Sequence, residues 1–283
     1  MYKSYFGLRA LPFGASPDPR FLFLRPQIQE ALACLQYGIA ARKGFVVMTG
    51  EVGTGKTTLL RAVLDTFAKG RVATAFLSNP RLDVLGFFEI VLTDFGIPPL
   101  SRTKSGMLLQ LNSWLIERFR ARQLCVIVID EAQNLSWDLL EEMLLNPKVR
   151  QLRQRVSLWV RTQALNSEET QAYIGERLRI AGASEPVLLP EAMELVYYYS
   201  KGIPRIINLI CEHTLINAYA EQVKPIPAHI VESVGLELDL VEHPFTISFP
   251  AMQALMNRTL QDNVFNTIAP ASGSAENLKE LER

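Results

Sequence analysis

Residues Phe45 to Thr58, Phe-Val-Val-Met-Thr-Gly-Glu-Val-Gly-Thr-Gly-Lys-Thr-Thr, set the terms for the whole 283-residue chain. A short apolar run, Phe45 to Met48, reads as a β-strand. The spacing Gly50-x-x-x-x-Gly55-Lys56-Thr57 follows it, and a helical run opens at Leu59-Leu60-Arg61. Strand, glycine-rich turn and helix in that order make a P-loop. Its glycines let the backbone curl until successive N–H groups point at the phosphates of a nucleotide, and the helix start adds a positive dipole end. The expected phosphate cradle is Gly50, Glu51, Val52, Gly53, Thr54, Gly55, Lys56, Thr57 and Thr58. Lys56 supplies a mobile positive charge, and the Thr57 hydroxyl is a ligand for Mg²⁺.

The flanking pattern predicts the rest of an α/β domain. Residues 1–30 are rich in aromatics, and Pro12, Pro17 and Pro19 forbid a continuous helix, so an extended arm laid over the core is expected. Its aromatics either pack or cover an adenine ring. Glu30 to Arg42 has helical spacing and leads into the P-loop strand. Beyond the P-loop helix, which runs to about Lys69, Val72 to Leu77 reads as a second strand and Leu82 to Phe95 as a helix. Ser105 to about Arg122 is another helix, with Leu108, Leu111, Leu115 and Phe119 on one side. Strands alternating with amphipathic helices specify a parallel sheet covered on both faces.

Cys125-Val126-Ile127-Val128-Ile129-Asp130-Glu131 is a continuous apolar run ending in two carboxylates, at the strand end where ligands of open α/β sheets bind. This is a Walker B pattern. Asp130 is expected to hold Mg²⁺ through water, and Glu131 to polarise the attacking water. A helix is expected from Leu135 to about Leu145. The run Lys148 to Arg155 then carries four cations without an acid, and is either a solvated helix face or the source of an arginine directed at a neighbouring subunit's nucleotide. Val156 to Thr162 reads as a strand.

After Asn166 the pattern is wholly helical. Ser167 reads as an N-cap for a helix to about Ala181, Pro190 opens a second, Pro204 a third and Pro227 a fourth. Residues 31–165 are thus an α/β core and 166–240 a small helical lid. Residues 241–283 read as a poorly ordered tail. Arg205, in the first turn of the third lid helix, sits where the helix dipole disfavours a cation, so it serves either an anion or the surface.

Composition limits the function. Lys plus Arg and Asp plus Glu are both 29, so nothing global argues for nucleic acid or an anionic membrane, although a local basic face is compatible with that balance. Cys34, Cys125 and Cys211 read as buried free thiols suited to a reducing cytosol. His213, His229 and His243 have no ligand spacing. No signal peptide or membrane-length apolar run is read, so a cytoplasmic protein without a transmembrane segment is expected.

Together these motifs resemble the AAA+ ATPases, a P-loop parallel sheet with helices on both faces followed by a helical lid. More narrowly, the chain resembles the ExeA-type ATPases of the bacterial general secretion pathway and their exopolysaccharide-locus relatives. The matching stretches are Tyr5 to Leu8 with Pro12-Phe13, Pro17 to Leu22, Tyr37 to Ile39, Thr49 to Thr58, Ile129 to Leu135, Gln151 to Arg155 and Gly202 to Asn208. The resemblance implies ATP and Mg²⁺, assembly into a homo-oligomer and a protein partner in a secretion or export machine. It makes Gly202-Ile203-Pro204-Arg205 a sensor-2 motif, with Arg205 at the γ-phosphate. Arg153 becomes the arginine finger, ahead of Arg150 and Arg155. Relatives carry a further strand, ending in the polar sensor-1 residue, between the P-loop and Walker B strands. Here no apolar run of strand length, apart from helix-patterned residues, lies between Asp130 and Val156, so that strand reads as deleted. Three functions follow: an ATP-hydrolysing switch, a non-hydrolysing nucleotide-binding regulator, and a DNA-associated transposition-helper-like ATPase, which the zero net charge disfavours.

Overall fold

The computed structural model describes residues 1–14, 16–67, 72–78, 82–135 and 156–240. By internal contacts the chain divides into Met1–Pro244 and Phe245–Arg283, and every described residue lies in the first unit. The helix expected over 135–145, the basic run 148–155 and the tail 241–283 fall outside the described residues.

Four strands form as the apolar runs predict: β1 (Phe45–Gly50), β2 (Val72–Leu77), β3 (Leu124–Ile129) and β4 (Val156–Thr162). All pairing among them is parallel. β1 pairs with β4 from Phe45↔Val156 to Gly50↔Thr162, with one irregularity after Phe45. β2 pairs with β3 from Val72↔Leu124 to Leu77↔Ile129. Among the described residues nothing joins β1 to β3, so the sheet is two half-sheets of two strands. This is the place where the deleted strand was expected. Burial follows from it. A continuous apolar run such as Cys125 to Ile129 reads as a buried central strand, yet among the described residues β3 is hydrogen-bonded on one side only and Ile127 keeps 43% of its surface exposed.

Each half-sheet has its own helical cover. Helices α1 (Tyr2–Tyr5), α2 (Pro26–Ala40) and α3 (Lys56–Phe67) come first in the chain. α2 opens with Pro26 at its first position, where the missing N–H costs nothing. With α3 it buries Ile28, Ala31, Leu35, Leu59 and Val63 against Val160 of β4. Gly38 permits this contact: a Cβ there would lie 2.6 Å from Val46 Cγ2. Helices α4 (Val84–Asp94) and α5 (Lys104–Arg120) cover β2 and β3. They are N-capped by the Asp83 and Thr103 side chains, which accept from the N–H groups of Gly86 and Gly106. Of the side chains expected on one side of α5, Leu111 is buried with Met107, whereas Leu108, Leu115 and Phe119 face outward.

The helical region holds α6 (Ser167–Ala181), α7 (Pro190–Ser200), α8 (Pro204–Ala220) and α9 (Ala228–Glu237). The cap of α6 is Asn166, not Ser167. Its side chain accepts from the Glu169 N–H while the Glu169 carboxylate accepts from the Asn166 N–H, a complete capping box. Ile174, Ile207, Ile210, Leu215 and Ile230 are fully buried in the shared core of these helices.

The N-terminal arm buries its aromatics in this helical core, while Leu22 and the Pro17 carbonyl touch the α3 side of the α/β part. After the single turn of α1, Phe6, Leu8, Phe13 and Phe21 are buried among α6–α9 residues. Arg177 of α6 secures them. Its guanidinium lies over the rings of Phe21 (4.7 Å), Tyr173 (5.3 Å) and Phe13 (5.9 Å), and its Nε donates to the Pro12 carbonyl at 2.5 Å. Arg25 then ties the arm to the segment joining β4 to α6, donating to the Gln163 and Ala164 carbonyls at 2.6 and 3.3 Å and to Glu169 at 2.5 Å. The expectation for the thiols changes too: Cys211 is buried, while Cys34 and Cys125 are only half-buried.

Candidate functional site

The turn between β1 and α3 takes the shape its glycines allow. Gly53 and Gly55 have φ of 85° and 92°, in the left-handed region that side chains with a Cβ resist. Lys56 Nζ donates to the carbonyls of Gly50 and Glu51 at 3.0 and 2.9 Å, folding back over the loop it belongs to. Burial lowers its pKa, against the opposing pull of the Glu131, Asp130 and Glu51 carboxylates. A lysine held this way is a cation waiting for anions inside a half-buried cradle.

The two motifs meet although they stand on different half-sheets. The Thr57 hydroxyl, at the start of α3, donates to Asp130 Oδ2 at 2.7 Å. Asp130 is held at the end of β3 by its N–H, which donates to the Leu77 carbonyl at 2.8 Å. A hydroxyl and a carboxylate oxygen so placed are the hard oxygen donors that Mg²⁺ takes alongside phosphate and water, so this donor set fits the ion. Glu131 follows in a left-handed conformation, φ 53° and ψ 39°, unusual for a residue with a Cβ. Its carboxylate accepts from Gln133 Nε2.

The helical region closes on the same loop. The Arg205 N–H, in the first turn of α8, donates to the Gly53 carbonyl at 3.1 Å. A Cβ on Gly53 would lie 2.8 Å from Arg205 Cβ and 3.0 Å from Ile203 Cγ2, so glycine is what allows α8 to approach. Gly53→Ala is therefore expected to destabilise the protein by about 1–3 kcal/mol through combined backbone strain and crowding, read from urea unfolding. An unchanged midpoint would mean that α8 shifts without cost.

Comparison with known proteins gives this geometry its context. A family model described as AAA domain matches residues 39–163, which span the P-loop, the Asp130-Glu131 pair and β4. General secretion pathway protein A of Aeromonas hydrophila is 34% identical over 248 residues, covering 78% of this chain and 45% of its own length. The chain belongs to the AAA+ ATPases of the ExeA type. This AAA+ chain spans less than half the length of that relative. Among solved structures, Aeropyrum pernix ORC2 in its ADPNP–ADP complexes aligns with a TM-score of 0.55 at 13% identity, over 78% of this chain and 72% of that one. The DNA-bound Drosophila ORC aligns with a TM-score of 0.54 at 18% identity, over 90% and 73%. At such identities the likeness speaks for the fold, a P-loop AAA+ architecture.

Of the site residues expected from sequence, this AAA+ structure brings together Gly50 to Thr58, Asp130, Glu131 and Arg205. Arg150, Arg153 and Arg155 lie outside the described residues. Two participants were missed. Thr162 ends β4 with its hydroxyl buried 2.7 Å from that of Thr54, bracing the P-loop from the neighbouring strand. Gln133, read only as part of a motif, is the partner of Glu131. A polar side chain at the carboxyl end of a strand beside the P-loop strand was the available signal for Thr162. Among the described residues no helix is long and apolar enough to cross a membrane.

Proposed function

We propose that this chain binds ATP with Mg²⁺ at the P-loop and hydrolyses it to ADP and phosphate, as the switch of a cytoplasmic homo-oligomer serving a secretion or polysaccharide-export assembly. The observation that carries this reading is the 2.7 Å contact between Thr57 and Asp130, which joins P-loop and Walker B across the interrupted sheet. Backbone N–H groups of Gly53 to Thr57 and the Lys56 ammonium bind and orient the phosphates, leaving the carbonyls of Gly50 and Glu51 as Lys56 turns to the nucleotide. Mg²⁺, when bound by Thr57 and Asp130, supplies charge neutralisation at the phosphates. Glu131 accepts a hydrogen bond and then a proton from a water whose oxygen bonds to the γ-phosphorus as the bond to the leaving β-phosphate oxygen breaks, giving ADP and phosphate. Arg205, brought to the loop by α8, adds positive charge on the side facing the helical lid, and Arg153 of a neighbouring subunit is the proposed finger.

The test is Mg²⁺-dependent phosphate release with nucleotide binding followed in parallel. Lys56→Ala removes the one side-chain cation within the loop and is expected to weaken ATP binding by at least about 100-fold, the range of a charged hydrogen-bonding group lost from a buried site (~3 kcal/mol). Binding of equal strength in Lys56→Ala would exclude this site as the phosphate cradle. A second reading, a non-hydrolysing nucleotide-binding regulator, is favoured by the interrupted sheet between β1 and β3, because a polar residue from that position is one of the groups that order the water. It predicts Lys56-dependent binding without turnover in the unmodified protein.

A further inference from the structure

Helix α5 is apolar on two sides and packed on one. Met107 and Leu111 enter the core beneath α4. Leu108, Leu109, Leu115, Ile116 and Phe119 point outward, with Leu109 exposed by 68%, Ile116 by 44% and Phe119 by 70%. At 100° per residue these five fall within one sector of the helix about 16 Å long, with the exposed Asn112 set among them midway. Scattered exposed leucines need no explanation; a band of five on one helix face does.

Charge is segregated around the same band. Arg102 lies just before α5, Arg120 ends it and Arg122 follows, all exposed. Arg42, from the turn after α2, holds its guanidinium 5.7 Å from the centre of the Phe119 ring. The only acid from residue 102 to 123 is Glu117, in a chain whose charges otherwise balance at 29 to 29. An aliphatic centre with guanidinium groups at its ends is the arrangement of a helix lying in the plane of a bilayer interface. There, leucine, isoleucine and phenylalanine enter the acyl boundary while arginines reach the phosphates of the headgroups.

We propose that the outward face of α5, with Arg42, Arg120 and Arg122, docks the protein on an anionic phospholipid surface. The charge complementarity selects an anionic partner. The aliphatic character selects lipid over nucleic acid, since binding to single-stranded bases relies on aromatic platforms and the band contains one aromatic ring. The docking is independent of the nucleotide reading and needs no turnover.

The full-length protein is floated with vesicles of phosphatidylcholine alone and of phosphatidylcholine containing phosphatidylserine, at low and high salt. Flotation with the anionic vesicles only, weakened by salt, is the expected result. Leu109→Ser with Ile116→Ser, and separately Arg120→Glu with Arg122→Glu, are each expected to lower partitioning by about ten-fold. All four positions are exposed, so the melting temperature stays near that of the parent and serves as the folding control. Equal flotation with both vesicle types, none with either, or retention by the Leu109/Ile116 variant would overturn the proposal, the last by showing attraction without insertion. Retention of a single-stranded oligonucleotide by the parent and not by the arginine variant, without vesicle binding, would assign the face to nucleic acid instead.

Discussion

Glu131→Gln is expected to leave ATP bound with its parental affinity while phosphate release falls by about 10²–10⁴-fold, the contribution of a positioned general base. The substitution is nearly isosteric and keeps a side-chain oxygen to accept from Gln133 Nε2, so the left-handed backbone at 131 and the Gln133 contact are retained. What is lost is the negative charge that draws a proton from water. Single-turnover phosphate release beside equilibrium binding separates the two effects. A variant that turns over as fast as the parent would refute the assignment of Glu131 as base. A parent that binds without turnover would transfer the chain to the non-hydrolysing reading. Lys56→Ala is silent on that choice, because it removes binding in either case.

Arg177→Leu carries the largest expected effect on stability. The guanidinium is buried between Phe13, Phe21 and Tyr173 and donates to the Pro12 carbonyl and the Tyr173 hydroxyl. Leucine keeps apolar volume but removes the cation–π contacts and strands a buried carbonyl. Together these are worth about 3 kcal/mol, and for a domain of this size the melting temperature should fall by about 6–12 °C. The arm should also become the first site of limited proteolysis, in residues 12–25. Arg179→Ala on the same helix removes only an exposed pair with Glu176 and should leave the melting temperature unchanged. A loss in Arg177→Leu no greater than in Arg179→Ala would mean that the arm holds without its clasp.

Much of this was legible before any coordinates, and the reason is local chemistry. Gly50-x-x-x-x-Gly55-Lys56-Thr57 and Ile129-Asp130-Glu131 carry their meaning in consecutive residues, so the P-loop, the four strands and most helix limits fall near where the pattern puts them. The meeting of Thr57 with Asp130 was implied by the two motifs together, although their strands, β1 and β3, lie in different half-sheets. The resting place of the arm was left open because its aromatics have no period. Phe6, Phe13 and Phe21 announce burial without saying against what, and the answer depends on a cation in α6, more than 150 residues on in the sequence. α5 shows a different limit. Helical spacing predicts an amphipathic face, yet Leu108, Leu115 and Phe119 are exposed because the packed side is set by α4 and β2. Asn166 and Ser167 are both good caps, and only the reciprocal bond with Glu169 separates them.

The interrupted sheet has a mechanical meaning. Lys56 and Thr57 ride on one half-sheet and Asp130 and Glu131 on the other, and no strand hydrogen bond among the described residues ties the halves together. If the proposed site holds a nucleotide and its metal, that ligand is gripped from both sides and stands as a cross-brace in place of the continuous sheet, its binding energy adding to the energy that keeps the halves in register. Ligand at about a hundred times its dissociation constant adds roughly 2.7 kcal/mol to the bound form. On the proposed reading, the energy holding the two halves in register rises with the nucleotide concentration around the protein.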